Sequence, residues 1–146
     1  MTGAQQERWL LDGLDRSHAH WNVLAQLGVL LPTRCDRGTA GGSEHGLKAN
    51  FDDPTSRTLG SEFVGTSIAS GGNGSDTTAG TVTQLAENPH IKFHNAQRGY
   101  VKCSVTDRVW RSDYKVMPQV TTPNAAVSTR ASFVVEHDRP GLQAGQ

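Results

Sequence analysis

No apolar run in these 146 residues approaches the length needed to cross a bilayer, so the sequence offers no membrane-spanning helix. Neither sign of charge prevails: 14 basic residues stand against 14 acidic ones. That balance removes any electrostatic pull toward nucleic acid as a specific partner or toward an anionic membrane. Cysteine is scarce. Cys35 and Cys103 are the two in the chain, and no Cys-x-x-Cys pair of the metal-binding kind exists. Their spacing is compatible with one disulfide or none. The opening residues, Met1 to Glu7, lack the charged-then-apolar order of a secretion signal. On that reading the chain stays where it is made.

What is present suits a loop-rich globular domain better than a helical bundle: 35% hydrophobic residues and 16 glycines. The apolar residues are too clustered for a wholly disordered chain. The length fits one domain with a modest core. Neutrality near pH 7 gives little colloidal protection, so self-association is expected.

Along the chain, Thr2 to Gln5 fits a capping box, and Leu10, Leu14 and Trp21 share a helical face. These predict an amphipathic helix over about 3–18, lying on a sheet, with a strand starting at Trp21. Residues 27–46 show neither helical nor strand periodicity and read as an aberrant loop. Asp52-Asp53-Pro54-Thr55-Ser56 signals a turn. A buried strand is expected over Thr58 to Ser70, then a loop from Gly71 to Gly80. A short helical piece at Thr81 to Ala86 ends at Asn88-Pro89. Val101, Cys103 and Val105 alternate, as do Trp110, Ser112, Tyr114 and Val116, which predicts a hairpin. Ala131 to Glu136 reads as a last strand, and 137–146 as a mobile tail. The chain is therefore one domain in four stretches: 1–26, 27–46, 47–136 and 137–146.

The chemistry-bearing residues are weaker signals. Cys35, Asp36, Glu44 and His45 are ligand types in one glycine-rich loop, but their spacing matches no zinc pattern, and gathering them costs chain entropy. His18 and His20 read as surface groups near a helix end. His90 and His94 share a side whether the segment is helix or strand. With no acidic or cysteine partner at motif spacing, they read as a polar edge. Ser67 and Ser70 sit beside the glycine loop, yet Gly65-Thr66-Ser67-Ile68-Ala69 lacks the second glycine of a nucleophile elbow. Hydroxyls satisfying the backbone at a strand end are the plainer reading. Gly71-Gly72-Asn73-Gly74-Ser75-Asp76 can form a nest of backbone donors for phosphate, though no Lys-Ser or Lys-Thr closes it as in a Walker loop. A solvated surface loop is the alternative.

Two blocks resemble the C-terminal third of the PhoD-type alkaline phosphatases, which are metallophosphoesterases. One takes in Trp9 to Leu14 and Trp21 to Gln26, and the other runs from about Leu47–Phe51 to Pro140–Leu142, with Glu62 to Ile68, Asn88 to Phe93, Arg98 to Val101 and Trp110 to Tyr114 inside it. The resemblance implies an α+β fold: one N-terminal helix and mainly antiparallel strands, a piece of a two-sheet sandwich flanked by helices. It further implies hydrolysis of phosphate mono- and diesters with a cluster of iron and calcium, outside the cytoplasm. The family's ligand motifs, an aspartate in a Trp- and Tyr-rich stretch and a Thr-Gly-Asp-x-His strand end, are missing from the interval 27–46. His45 lies too close to Leu47 to be the family histidine. No metal ligand and no catalytic residue is therefore assigned, and no cofactor is expected for this chain alone.

The resemblance leaves Thr66, Ser67, Ser70, Gly71, Gly72 and Asn73 as one wall of a substrate cleft. Metal-ion hydrolysis needs preorganised ligands, so the chain alone is expected to be inactive. The alternatives are a small β-rich binding or interaction domain, and a minimal esterase using Ser67 or Ser70. The abrupt change of pattern over 27–46 suggests a truncated or frame-shifted remnant, which reading all three frames of the gene would test. Such a piece leaves strands unpaired, and self-association through them is expected.

Overall fold

The computed structural model of the chain describes residues 3–25 and 42–144. Two helices and seven strands follow the order α1 (Ala4–Asp15), β1 (Gly42–Lys48), β2 (Thr58–Val64), α2 (Thr81–Glu87), β3 (Ile91–Asn95), β4 (Arg98–Val105), β5 (Val109–Met117), β6 (Ser128–Glu136) and β7 (Arg139–Ala144). The fold is α+β, as expected. One sheet has the order β2-β1-β3 and the other β4-β5-β6-β7, and every pairing is antiparallel.

The predicted hairpin forms. Val101 stands opposite Tyr114, Cys103 opposite Ser112 and Val105 opposite Trp110, so the two alternating stripes meet on one face. Tyr114 and Val116 are buried there. The sheets meet through an aromatic trio. Phe93 of β3 lies 4.8 Å from Tyr114 of β5 and 5.7 Å from Phe133 of β6, and Tyr114 and Phe133 are 6.0 Å apart, edge to face. The Asp52–Ser56 turn is present too. Asp53 accepts from the Thr55 N–H and hydroxyl, at 2.8 and 2.7 Å.

Three expectations fail here. Part of the expected loop over 27–46 lies outside the described residues, and its last stretch is no loop, because Gly42–Lys48 is the central strand of its sheet. Pairing on both sides, to β2 and β3, holds as strand a glycine-containing segment with no alternation to betray it. The strand expected over Thr58 to Ser70 stops at Val64. Within the expected mobile tail over 137–146, Arg139–Ala144 is β7. Asp138 at φ +64° closes a tight turn after β6, and Pro140 sits on an edge strand, where a missing N–H does least harm.

Helix α1 ends at Asp15 and buries no residue. Its N-cap is Gly3, without a side-chain cap, while Thr2 of the expected capping box lies outside the described residues. Trp21 begins no strand. Its ring packs edge-on against Trp110, with centroids 6.0 Å apart, and its Nε1 donates to the Thr106 carbonyl at 2.6 Å. An indole this large gains more by docking onto the completed hairpin than by continuing a helical face.

Candidate functional site

The segment after β2, from Thr66 to Asp76, is the part of the molecule built to an unusual shape. Gly71, Gly72 and Gly74 all have φ between +72° and +81°, a region L-residues rarely enter. At Gly74 a Cβ would also collide with the Ala96 carbonyl, while Ala96 N–H donates to the Ser75 carbonyl at 3.1 Å. The glycines are therefore required by the path of the chain.

Three posts hold this loop. Arg98, buried at the start of β4, donates from Nε to the Gly72 carbonyl at 2.7 Å and from Nη2 to the Gly71 carbonyl at 3.0 Å. Its Nη1 reaches Thr66 Oγ1 and the Ala96 carbonyl, both at 3.4 Å. Asn73 Oδ1 accepts from the N–H groups of Val120 (2.8 Å) and Thr121 (3.2 Å). Asp76 takes a two-pronged bond from Arg130, at 2.6 and 3.0 Å, and a third from Asn95 Nδ2 at 2.6 Å. The Arg130 bond holds the Asp76 carboxyl below the usual carboxylate range, and Asp76 in turn raises Arg130.

Arg98 also orients the loop. In a trans peptide the carbonyl and the following N–H point opposite ways. Turning the Gly71 and Gly72 carbonyls onto the guanidinium therefore turns the Gly72 and Asn73 N–H groups away from it. A buried cation behind amides that face away from it, with Gly71 and Gly72 exposed, is a surface suited to an anion.

All six expected wall residues lie in this loop, but they do not all present groups to a ligand. Thr66 accepts from Arg98. Ser67 Oγ donates to the Ser70 carbonyl at 2.8 Å, and the Ser67 carbonyl accepts from Gly99 N–H at 3.4 Å. Asn73 is a brace for the segment after β5. Gly71 and Gly72 contribute backbone, and Ser70 contributes its carbonyl. The sequence reading missed Arg98, Asn95 and Arg130. Arg98 lay in view inside one of the family-like blocks, whereas Asn95 and Arg130 carried no pattern.

The histidines differ from expectation as well. His90 and His94 are buried rather than at a polar edge, because β3 is covered by α2 and by the loop around Phe51. The His90 ring stands edge-on to Phe51 at 5.3 Å, and His94 Nδ1 lies 3.4 Å from Thr81 Oγ1. His90 borders an open cavity of about 580 Å³ with Phe51, Asp52 and Glu87, at the end of β3 away from the glycine loop. His20 is paired, Nδ1 to His137 Nε2 at 3.2 Å, and His137 Nδ1 meets Asp138 at 2.9 Å.

The described residues do not assemble the iron and calcium cluster the resemblance implies. Among the described residues, no three His, Cys, Asp or Glu side chains converge. Cys35 and Asp36 lie outside the described residues. Cys103 is a free, exposed thiol.

The PhoD-like phosphatase family profile matches residues 41–114. Alkaline phosphatase D of Bacillus subtilis (strain 168) is 40% identical over 183 aligned residues, which take in 98% of this chain and 31% of that protein. The alignment is longer than the 146-residue chain, so the relative carries additional residues inside the matched stretch. A solved structure of PhoD superposes with a TM-score of 0.91 at 38% identity, covering 99% of this chain and 35% of its own. The chain thus spans about a third of the length of the relatives it matches. A profile match over half the chain, together with close agreement in backbone, establishes that the chain belongs to the PhoD-like phosphatase family.

Proposed function

We propose that this chain is the phosphate-ester-binding wall of a PhoD-like phosphatase domain and does not turn over phosphate esters by itself. One observation carries the reading: the Arg98-braced glycine loop stands without a converging set of metal ligands among the described residues. Metal-ion hydrolysis requires ligands that lower the pKa of a nucleophilic oxygen or polarise the phosphoryl group. The loop supplies neither. It supplies backbone donors and a buried positive charge, which bind an anion and orient it. The extra residues of the relative within the matched stretch are consistent with ligand-bearing segments that this chain does not carry.

The test is turnover of p-nitrophenyl phosphate and its bis ester by the purified chain, with iron and calcium supplied and bound metal measured. No hydrolysis above the buffer rate is expected. Hydrolysis with stoichiometric bound iron would overturn the proposal. Binding is read separately, by titrating inorganic phosphate against the amide resonances of Gly71 to Gly74. Shifts confined to that loop are expected, and their absence would remove the binding half of the reading.

A further inference from the structure

Strand β4 occupies one edge of the four-stranded sheet. Thr106 N–H bonds to the Val109 carbonyl, so Ser104, Lys102 and Tyr100 have the hydrogen-bonding phase toward β5. The backbone groups of Gly99, Val101, Cys103 and Val105 then point outward. Gly99 uses its outward N–H on the Ser67 carbonyl. Beyond it, among the described residues, no backbone partner meets the outer edge of Val101 to Val105. Cys103 is the midpoint of that open stretch. Native edges are commonly blunted by charge, proline or a bulge. Here the pairing with β5 runs without a bulge, there is no proline, and Lys102 is the single charged residue from Val101 to Val105.

We propose that two copies of this chain associate edge to edge through β4, antiparallel about a twofold axis at Cys103. The occupant is a second copy because the edge is complementary to itself. Full overlap of the open stretch places Val101 opposite Val105 of the other copy, and Cys103 opposite Cys103. Every outward N–H and C=O from Val101 to Val105 is then paired, and the two four-stranded sheets become one continuous sheet. Apolar side chains line one face of the seam. On the other, Lys102 falls opposite Ser104 of the second copy, so the two lysines do not meet. A register centred on Lys102 would set like charges directly opposite and is disfavoured. Zero formal net charge leaves no long-range repulsion between copies at pH 7.

The register makes the thiol a reporter. Residues in a hydrogen-bonded antiparallel pair have Cα atoms about 5.5 Å apart, inside the range a disulfide spans. The experiment uses the full chain with Cys35→Ser, leaving Cys103 as the sole thiol. Under reducing conditions, light scattering behind size exclusion is expected to show the mass rising toward twice the monomer value between about 5 and 200 µM. Diamide, a two-electron oxidant that takes up the two thiol hydrogens, is expected to link the dimer through Cys103. Cys103→Ser should lose the link and keep the mass shift. Cys103→Lys and Cys103→Glu, each placing like charges at the axis, should raise the dissociation constant at least about tenfold. Their far-ultraviolet dichroism and melting should match Cys103→Ser. A monomer across the whole concentration range would overturn the proposal. So would undiminished association of both charged variants, or diamide failing to link the associated chains.

Discussion

At the scale of single residues, Arg98 is the group on which the candidate site turns. Its guanidinium is buried and satisfies the Gly71 and Gly72 carbonyls. Replacing it with alanine leaves those acceptors unpaired beneath the loop, a loss of about 2–3 kcal/mol. Urea titration of Arg98→Ala should show that fall. Arg98→Lys should recover part of it, since an ammonium keeps the charge and loses the fork. Phosphate-induced shifts in the loop should weaken in both. Gly74→Ala is expected to be as damaging, through its positive φ and the Ala96 carbonyl.

Three carboxylates, Asp53, Asp76 and Asp113, give the molecule an acid dependence of known sign. Asp113 is held below its ordinary range first by the Ser132 hydroxyl and then by Arg111, and Asp76 by Arg130. A depressed carboxylate contributes stability that is fully present above the unfolded value, about 3.9, and is lost as pH falls through the lower folded value. Melting temperature should therefore drop below about pH 4. The double variant Asp76→Asn, Asp113→Asn should start lower at neutral pH and show a shallower acid decline. An equally steep decline in that variant would count against Asp76 and Asp113 as its source.

At the scale of elements, α1 is tied to the body through the segment that follows it rather than through its own face. It buries no residue, and Trp9 and Leu11 are more than half exposed. The tie is Trp21 against Trp110 and the Thr106 carbonyl, beside the His20–His137 pair. Trp21→Ala should speed amide exchange over residues 4–25 at least about tenfold while leaving β5 and β6 protected. Uniform loss of protection would mean the clasp also supports the sheet. Elements were unevenly legible in the sequence. The β4–β5 hairpin and α2 were plain because their signals are local: alternation around a short turn, and a helical run stopped before Pro89. β1 was hidden because its strand state comes from two neighbours, each distant in sequence. The glycine loop was visible as composition, but its orientation depended on an arginine more than twenty residues away.

For the whole molecule, the balance between core and surface is unusual. Among the described residues, four hydrophobic side chains are buried against nine polar or charged ones, and eleven large hydrophobics are exposed. A core this small makes each apolar contact count. Tyr114→Ala, which removes the centre of the aromatic trio, should cost about 3 kcal/mol or more. The expected result is loss of the sharp thermal transition and of near-ultraviolet dichroism, with far-ultraviolet signal partly kept. The wild-type chain should bind a hydrophobic dye in its native state, given the exposed apolar groups.

The family, the α+β class, the hairpin and the place of the glycine loop were all readable from the order of residues. These rest on local order of residues, which pairing in three dimensions does not alter. Long-range packing decided that Gly42–Lys48 is a central strand, that Arg139–Ala144 is an edge strand, and that His90 and His94 are buried. It also decided that Ser67 and Asn73 brace the loop, with Arg98 turning its carbonyls inward. Each of these depends on partners far apart in the chain, where closing a long loop brings together groups that no short window of sequence contains.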